Sequence, residues 1–281
     1  MNTTIEFNKN ENTTTTDATT TPWTSQKQTK FEDRVLKPEY ATRRFRFQTG
    51  WNWFRILPGL QSSSHGWMMG VHAIDQESGR FAHPKTLKGK GERCVFDLAY
   101  TWCKEHHPEA LYSKANKNGA RLLTDPLSLC WIVTEENGRS VLRLLQLSGY
   151  DGSRGGNPGL GYQLWKAARE QDEHGKVRTD AIDPNAGCLV GIEKIQPKGA
   201  KFPTYNIRVG RNPSPVADHI AKLDPEELRA LCPLENTIEL LSEEEQWQWL
   251  ERVIAPETVG KIRADLNRAP FIKEKPLQAA A

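Results

Sequence analysis

The segment from residue 127 to 147 leaves this chain the least conformational freedom. Two apolar runs, residues 127–134 and 140–147, are joined by Glu135-Glu136-Asn137-Gly138-Arg139. Asn-Gly accepts the positive φ that a tight turn requires, so the segment predicts an antiparallel hairpin. Residues 188–195 and 205–209 read as two closing strands, connected through Gln196-Pro197-Lys198-Gly199. Upstream, Phe45 and Phe47 alternate with Arg44 and Arg46. A strand from Trp51 ends at Pro58-Gly59, and residues 66–74 form its partner after a Ser62-Ser63-Ser64 turn. Helices are predicted over 95–106 and 160–170, where apolar residues recur at three-to-four spacing. Short strands, frequent turn signals and one or two inserted helices predict a mainly β fold built on a small five-stranded barrel of the oligonucleotide/oligosaccharide-binding (OB) fold type.

The strand Trp51-Asn52-Trp53-Phe54-Arg55-Ile56 has two chemically different faces. Alternation puts Trp51, Trp53 and Arg55 on one side, with Phe54 and Ile56 on the other. The second face is ordinary core. The first offers two π surfaces beside a guanidinium, which is what unstacked bases and a phosphate require. Burial of both indoles in a two-sided sheet is the competing reading.

Composition divides the 281-residue chain. Residues 1–35 are Thr-rich and poor in apolar side chains. They cannot bury enough surface to offset their ordering entropy and are expected to be a disordered arm. Residues 36–216 carry the β pattern. Beyond them, 217–281 turn helical and acidic, with Asp224, Glu226, Glu227, Glu235, Glu239, Glu243, Glu244, Glu245 and Glu251 set against Arg229. A net charge of only +3 therefore hides a basic front and an acidic sequel, which suggests a polyanionic partner for the front. Ser242 and Glu245 form a capping box, and Trp247, Leu250 and Ile254 then follow as a packing stripe. Scattered cysteines, odd in number, point to free thiols in a reducing compartment, and no stretch has the apolar length of a membrane span.

Catalytic signatures are missing from this pattern. Residues 149–161 are glycine-rich but lack the Lys-Ser/Thr that holds nucleotide phosphates and magnesium. Asp183 with Glu193-Lys194 comes nearest to a metal-dependent nuclease. However, adjacent strand positions project oppositely, so Glu193 and Lys194 cannot share a site. His83, Cys94, Cys103 and His106 have the residue types of a zinc site but no Cys-x2-Cys anchor. The expectation is a non-enzyme without a bound metal.

Nucleic-acid chemistry, by contrast, recurs along the chain. Aromatic and basic residues interleave in Arg43-Arg44-Phe45-Arg46-Phe47, in the Trp51 strand and in residues 202–211. Lys85, Lys88, Lys90 and Arg93 add a cationic loop. Single strands fit best, because stacking is worth about 1–3 kcal/mol per base and tolerates every base. The expected stacking residues are Trp51, Trp53, Trp67 and Tyr205. The expected phosphate contacts are Arg44, Arg46, Arg55, Lys85, Lys88, Lys90, Arg93, Arg208 and Arg211. A single-stranded RNA regulator, or an adaptor docking proteins on the acidic helices around Trp247 and Trp249, are the rival readings.

Over roughly residues 40–216 the order of short motifs resembles the replication single-stranded DNA-binding proteins of T-even-type bacteriophages. The motifs are R-I-L-P-G at Arg55, L-C-W-I-V at Leu129, R-L-L-Q-L-S-G at Arg143, D-P-N-A-G-C-L-V-G-I-E-K at Asp183 and F-P-T-Y-N-I-R-V at Phe202. The resemblance implies an OB barrel that coats single-stranded DNA in replication, recombination and repair, in the cytoplasm of a bacterial host. It also implies self-association along DNA through a basic arm and recruitment of replication proteins through an acidic tail. Here Cys94 is followed by no second cysteine at close spacing, so metal loss is expected, and the acidity is internal, at Asp224 to Glu251, which departs from the family's acidic tail.

Overall fold

A computed structural model describes residues 32–58, 67–74, 79–84, 93–113, 119–153, 156–171 and 177–268. All of these fall in one compact unit spanning 31–281. Of the expected arm (1–35), residues 1–31 lie outside the described residues, as do the Ser62-Ser63-Ser64 turn and Lys85, Lys88 and Lys90; Glu32–Arg34 instead form a strand and Val35 is buried, because its side chain joins the core over the β5–β6 hairpin. The strands are β1 (Glu32–Arg34), β2 (Gly50–Ile56), β3 (Trp67–Ile74), β4 (Gly79–Ala82), β5 (Thr124–Glu136), β6 (Arg139–Ser148), β7 (Arg169–Gln171), β8 (Val177–Asp180), β9 (Cys188–Ile195) and β10 (Thr204–Pro213). The α-helices are α1 (Pro38–Ala41), α2 (Val95–His106), α3 (Leu160–Ala168), α4 (Val216–Ile220), α5 (Pro225–Ala230), α6 (Glu243–Val253) and α7 (Pro256–Arg268).

The hairpin β5–β6 organises the rest. Its turn has the expected backbone, with φ of 53° at Asn137 and 74° at Gly138. One edge of β5 pairs with β6 along its length, while the other is shared between β3 and β2. The section β6-β5-β2-β9-β10 is antiparallel throughout. It curls around Phe54, Ile56, Ile132, Leu145, Leu164, Val190 and Ile192. Among the described residues the sheet does not close, because β6 and β10 are not paired. Helix α3 lies against both. The backbone of Arg43 and Phe45 bonds to Leu144 at 2.9 Å each, with Phe45 and Phe47 turned toward the core.

Both faces of the hairpin are covered. Cys130, Ile132, Leu145 and Leu147 point into the curled sheet, whereas Leu129, Trp131, Val133, Leu142 and Leu144 point the other way. That second face is roofed by Val216, Leu223, Leu234 and Ile238, and the Trp131 indole donates to the Cys232 carbonyl at 2.8 Å. A third core joins α2 to α6 and α7 through Phe96, Trp102, Trp247, Trp249 and Ile262. Gln246, also buried, accepts from the Val95 N–H at 2.9 Å and so caps α2. The capping box of Ser242 and Glu245 is present.

The boundary expected at 216/217 is therefore not a domain boundary. Apolar runs buried on both faces need cover on both sides, and the helical segment supplies it. The adaptor reading loses its surface at the same point, since Trp247 and Trp249 are 2% and 3% exposed. Among the described residues no helix is long and apolar enough to cross a membrane.

Candidate nucleic-acid interface

Three neighbouring strands, β2, β9 and β10, present one face away from the curled core. Register fixes its rows. Trp51, Glu193 and Asn206 lie side by side in one, and Trp53, Gly191 and Arg208 in the next. The indoles of Trp51 and Trp53 stack on each other with centroids 5.6 Å apart and planes 23° from parallel. The Arg208 guanidinium lies 4.8 Å from the Trp51 ring centroid. Gly191 lets the Trp53 indole lie flat on the sheet, because a Cβ there would meet three ring atoms at 3.0 Å. Trp53 remains 39% exposed. A groove of about 380 Å³ opens beside it, between β2 and the β5–β6 turn, lined by Arg46, Trp51, Trp53, Glu135, His219 and Lys222 among others.

The groove sets Arg46 and Lys222 beside the indoles, together with the carboxylates of Glu135 and Glu136. Arg46 and Arg208 are exposed, and Lys222 lies on the groove wall. His219 is held below its ordinary pKa, chiefly by burial and then by the nearby Lys222 and Arg55 charges. Its Nε2 is hydrogen-bonded to the Ser214 hydroxyl at 2.6 Å.

Of the expected site residues, Arg46, Trp51, Trp53 and Arg208 are brought together. Arg55 is not with them. It is 0% exposed and donates to the carbonyls of Ser214 (2.7 Å), Ala181 (2.8 Å), Ile56 (3.1 Å) and Asp183. Gly187 makes room for it, since a Cβ there would come within 2.5 Å of Nη2. Two of the resembling motifs, at Arg55 and at Asp183, thus meet as a structural lock, and a guanidinium so enclosed has no route to a phosphate. Tyr205 faces the other side of β10 and packs edge-on against Phe47 at 5.6 Å, so it offers no ring to a base in this groove.

The remaining expected residues are dispersed. Arg93 pairs with Glu243 at the start of α6 (3.4 Å), which draws it toward the helical core rather than the groove. The Arg44 backbone bridges β6 at Leu144, and its side chain is half-buried. Arg211 is exposed within the register shift of β10 between Val209 and Pro213. Trp67 is in register with Leu129 on β3, and its side chain lies outside the described residues.

The four zinc-type residues do not converge either. Cys94 and Cys103 are nine positions apart at and within one helix, about 13 Å along its axis. Cys103 is buried, with its thiol pushed up to about 11, and His106 stacks on Trp102 at 4.7 Å. Instead His83, Cys94 and Asp97 gather, with donor atoms within 4.8 Å of one another. His83 Nε2 and Asp97 Oδ2 are already 2.9 Å apart in a hydrogen bond. Asp97 escaped sequence reading because nothing but the helix turn brings it to Cys94.

The sequence offered Glu193 only as part of a nuclease signature, and Asn206 and Lys222 not at all. Only cross-strand register puts the first two in the row of Trp51, and only the packing of α4 brings up the third. Phe202, 71% exposed with the Lys201 ammonium 5.4 Å from its ring, is legible in F-P-T-Y as an aromatic beside a cation. Comparison with protein-family models and with curated proteins finds no match for this chain.

Proposed function

We propose that this chain binds single-stranded DNA along the open face of β2, β9 and β10, with no catalytic step. The observation that carries the reading is the Trp51–Trp53 stack, open to solvent and flanked by the guanidinium of Arg208 with Arg46 in the same groove. Bases stack on the indoles while the cations follow the phosphates. The five-stranded curl, with α3 across its opening, supports an OB-type barrel as the scaffold. A coat for DNA in phage replication, recombination and repair rests on the motif resemblance alone.

The test is quenching of tryptophan fluorescence on titration with dT oligomers at two salt concentrations. Affinity is expected to fall with salt at a log–log slope of about −0.7 per phosphate contacted. Trp53→Ala is expected to weaken binding by about 1–3 kcal/mol with little change in melting temperature, because the ring is partly exposed and packs on one face. A salt-independent affinity, or a variant that binds normally, would refute the assignment. Competition with RNA oligomers of the same length separates DNA from RNA preference, since the 2′-hydroxyl is the only added group.

A further inference from the structure

The face just described carries a carboxylate directly beside Trp51. Glu193 stands on the central strand β9, between Trp51 on β2 and Asn206 on β10. Asn206 Nδ2 donates to Glu193 Oε2 at 2.9 Å, which fixes the carboxylate in the plane of the row. A surface made only to hold phosphates gains nothing from such a group, because it repels them. Arg208 stands one row further along β10, with its guanidinium drawn back over Trp51.

Cross-strand neighbours are about 4.8 Å apart. A base lying on the Trp51 end of this surface would therefore have its edge within reach of Glu193. Each carboxylate oxygen has two acceptor sites, so the Asn206 bond leaves capacity on both. Bases differ sharply in what they offer an acceptor pair. Guanine presents adjacent N1–H and N2–H donors that match two oxygens. Cytosine and adenine present one amino donor beside an acceptor nitrogen. Thymine presents N3–H between two carbonyl oxygens, both of which repel a carboxylate.

On the proposed DNA-binding reading, we propose that Glu193, positioned by Asn206, makes this face base-selective, favouring guanine and disfavouring thymine. The preference is superimposed on phosphate binding that is indifferent to sequence. Carboxylate recognition of base donors follows the same chemistry in duplex readout, where an acidic side chain accepts from cytosine N4.

The experiment titrates the full chain with three oligomers of about 12 nucleotides, within the range of one such binding face. They are dT alone, dT with dispersed guanines too sparse to form quadruplexes, and dT with cytosines at the same positions. The guanine oligomer is expected to bind roughly 5-fold or more tighter than dT, with the cytosine oligomer between them. Glu193→Gln keeps an acceptor for Asn206 but loses the charge. It is expected to bring the guanine-to-thymine ratio close to one by weakening the first and strengthening the second. A purely structural role would weaken both together. Equal wild-type affinities, or a ratio that survives Glu193→Gln, overturn base selection while leaving DNA binding at this face standing. Failure of every oligomer to bind overturns both. Should Glu193→Gln melt early, the order of the three wild-type affinities decides.

Discussion

A chain ending at residue 216 is expected not to fold cooperatively. Removing 217–281 strips Leu223, Leu234 and Ile238 from the outer face of the β5–β6 hairpin. It also strips Trp247, Trp249, Leu250, Val259 and Ile262 from the core shared with α2. Burial of each large apolar side chain is worth about 1.5–3 kcal/mol, against a total stability on the order of 5–15 kcal/mol. The loss therefore exceeds what the remainder can supply. Ionic ties go with it, because Arg43 meets Glu227 at 2.6 Å and Arg34 is held by Glu239 and Glu245. The acidic segment spends these charges on structural arginines rather than offering them to a partner. Circular dichroism melting and dye binding to exposed apolar surface check the point. A 1–216 fragment with a sharp transition and wild-type oligonucleotide affinity would contradict it.

Arg55→Ala is expected to destabilise the chain by about 3–5 kcal/mol, combining a large-to-small cavity with carbonyls left short of a donor. That corresponds to a fall in melting temperature on the order of 10 °C for a chain of this size. The Ser214 carbonyl is the most exposed to this loss. The Ala181 and Asp183 carbonyls also accept from Cys188 and Gly187 N–H groups, whereas among the described residues the Ser214 oxygen has no such strand or turn bond. Burial pulls the guanidinium below its ordinary pKa, while nearby Cys188, Asp183 and Asp180 pull it back. Arg55→Met restores volume without donors and is expected to recover only part of the stability. Arg55→Lys keeps charge but not the planar fork that reaches several carbonyls at once. An alanine variant that melts normally yet binds DNA poorly would mean that the guanidinium serves a ligand after all.

The local signals in this sequence translated well where one residue type dictates one conformation. Asn137-Gly138 specified its turn, and Ser242 with Glu245 its cap, because each depends on atoms a few bonds away. Strand alternation along β2 likewise separated Trp51 and Trp53 from Phe54 and Ile56. It also put Arg55 on the indole side, and there alternation misled. Toward the end of β2 the indole-side face is no longer open, because residues 181–187 and Ser214 close over it. Tyr205 failed for the mirror reason. Its aromatic–basic context looked like a binding strand, but parity in the β9–β10 register sends it inward with Phe47 while Asn206 and Arg208 face out.

The amino-acid order by itself determined the β-rich pattern, the hairpin, the helical sequel and a pair of indoles beside cations. Those features follow from periodicity and turn chemistry, which act over a few residues. Tertiary structure alone decided which guanidinium is buried, that the acidic helices complete the core, and that Glu193 sits next to Trp51. Each of these depends on strand register and on which surface covers which, and such pairings join residues more than a hundred positions apart.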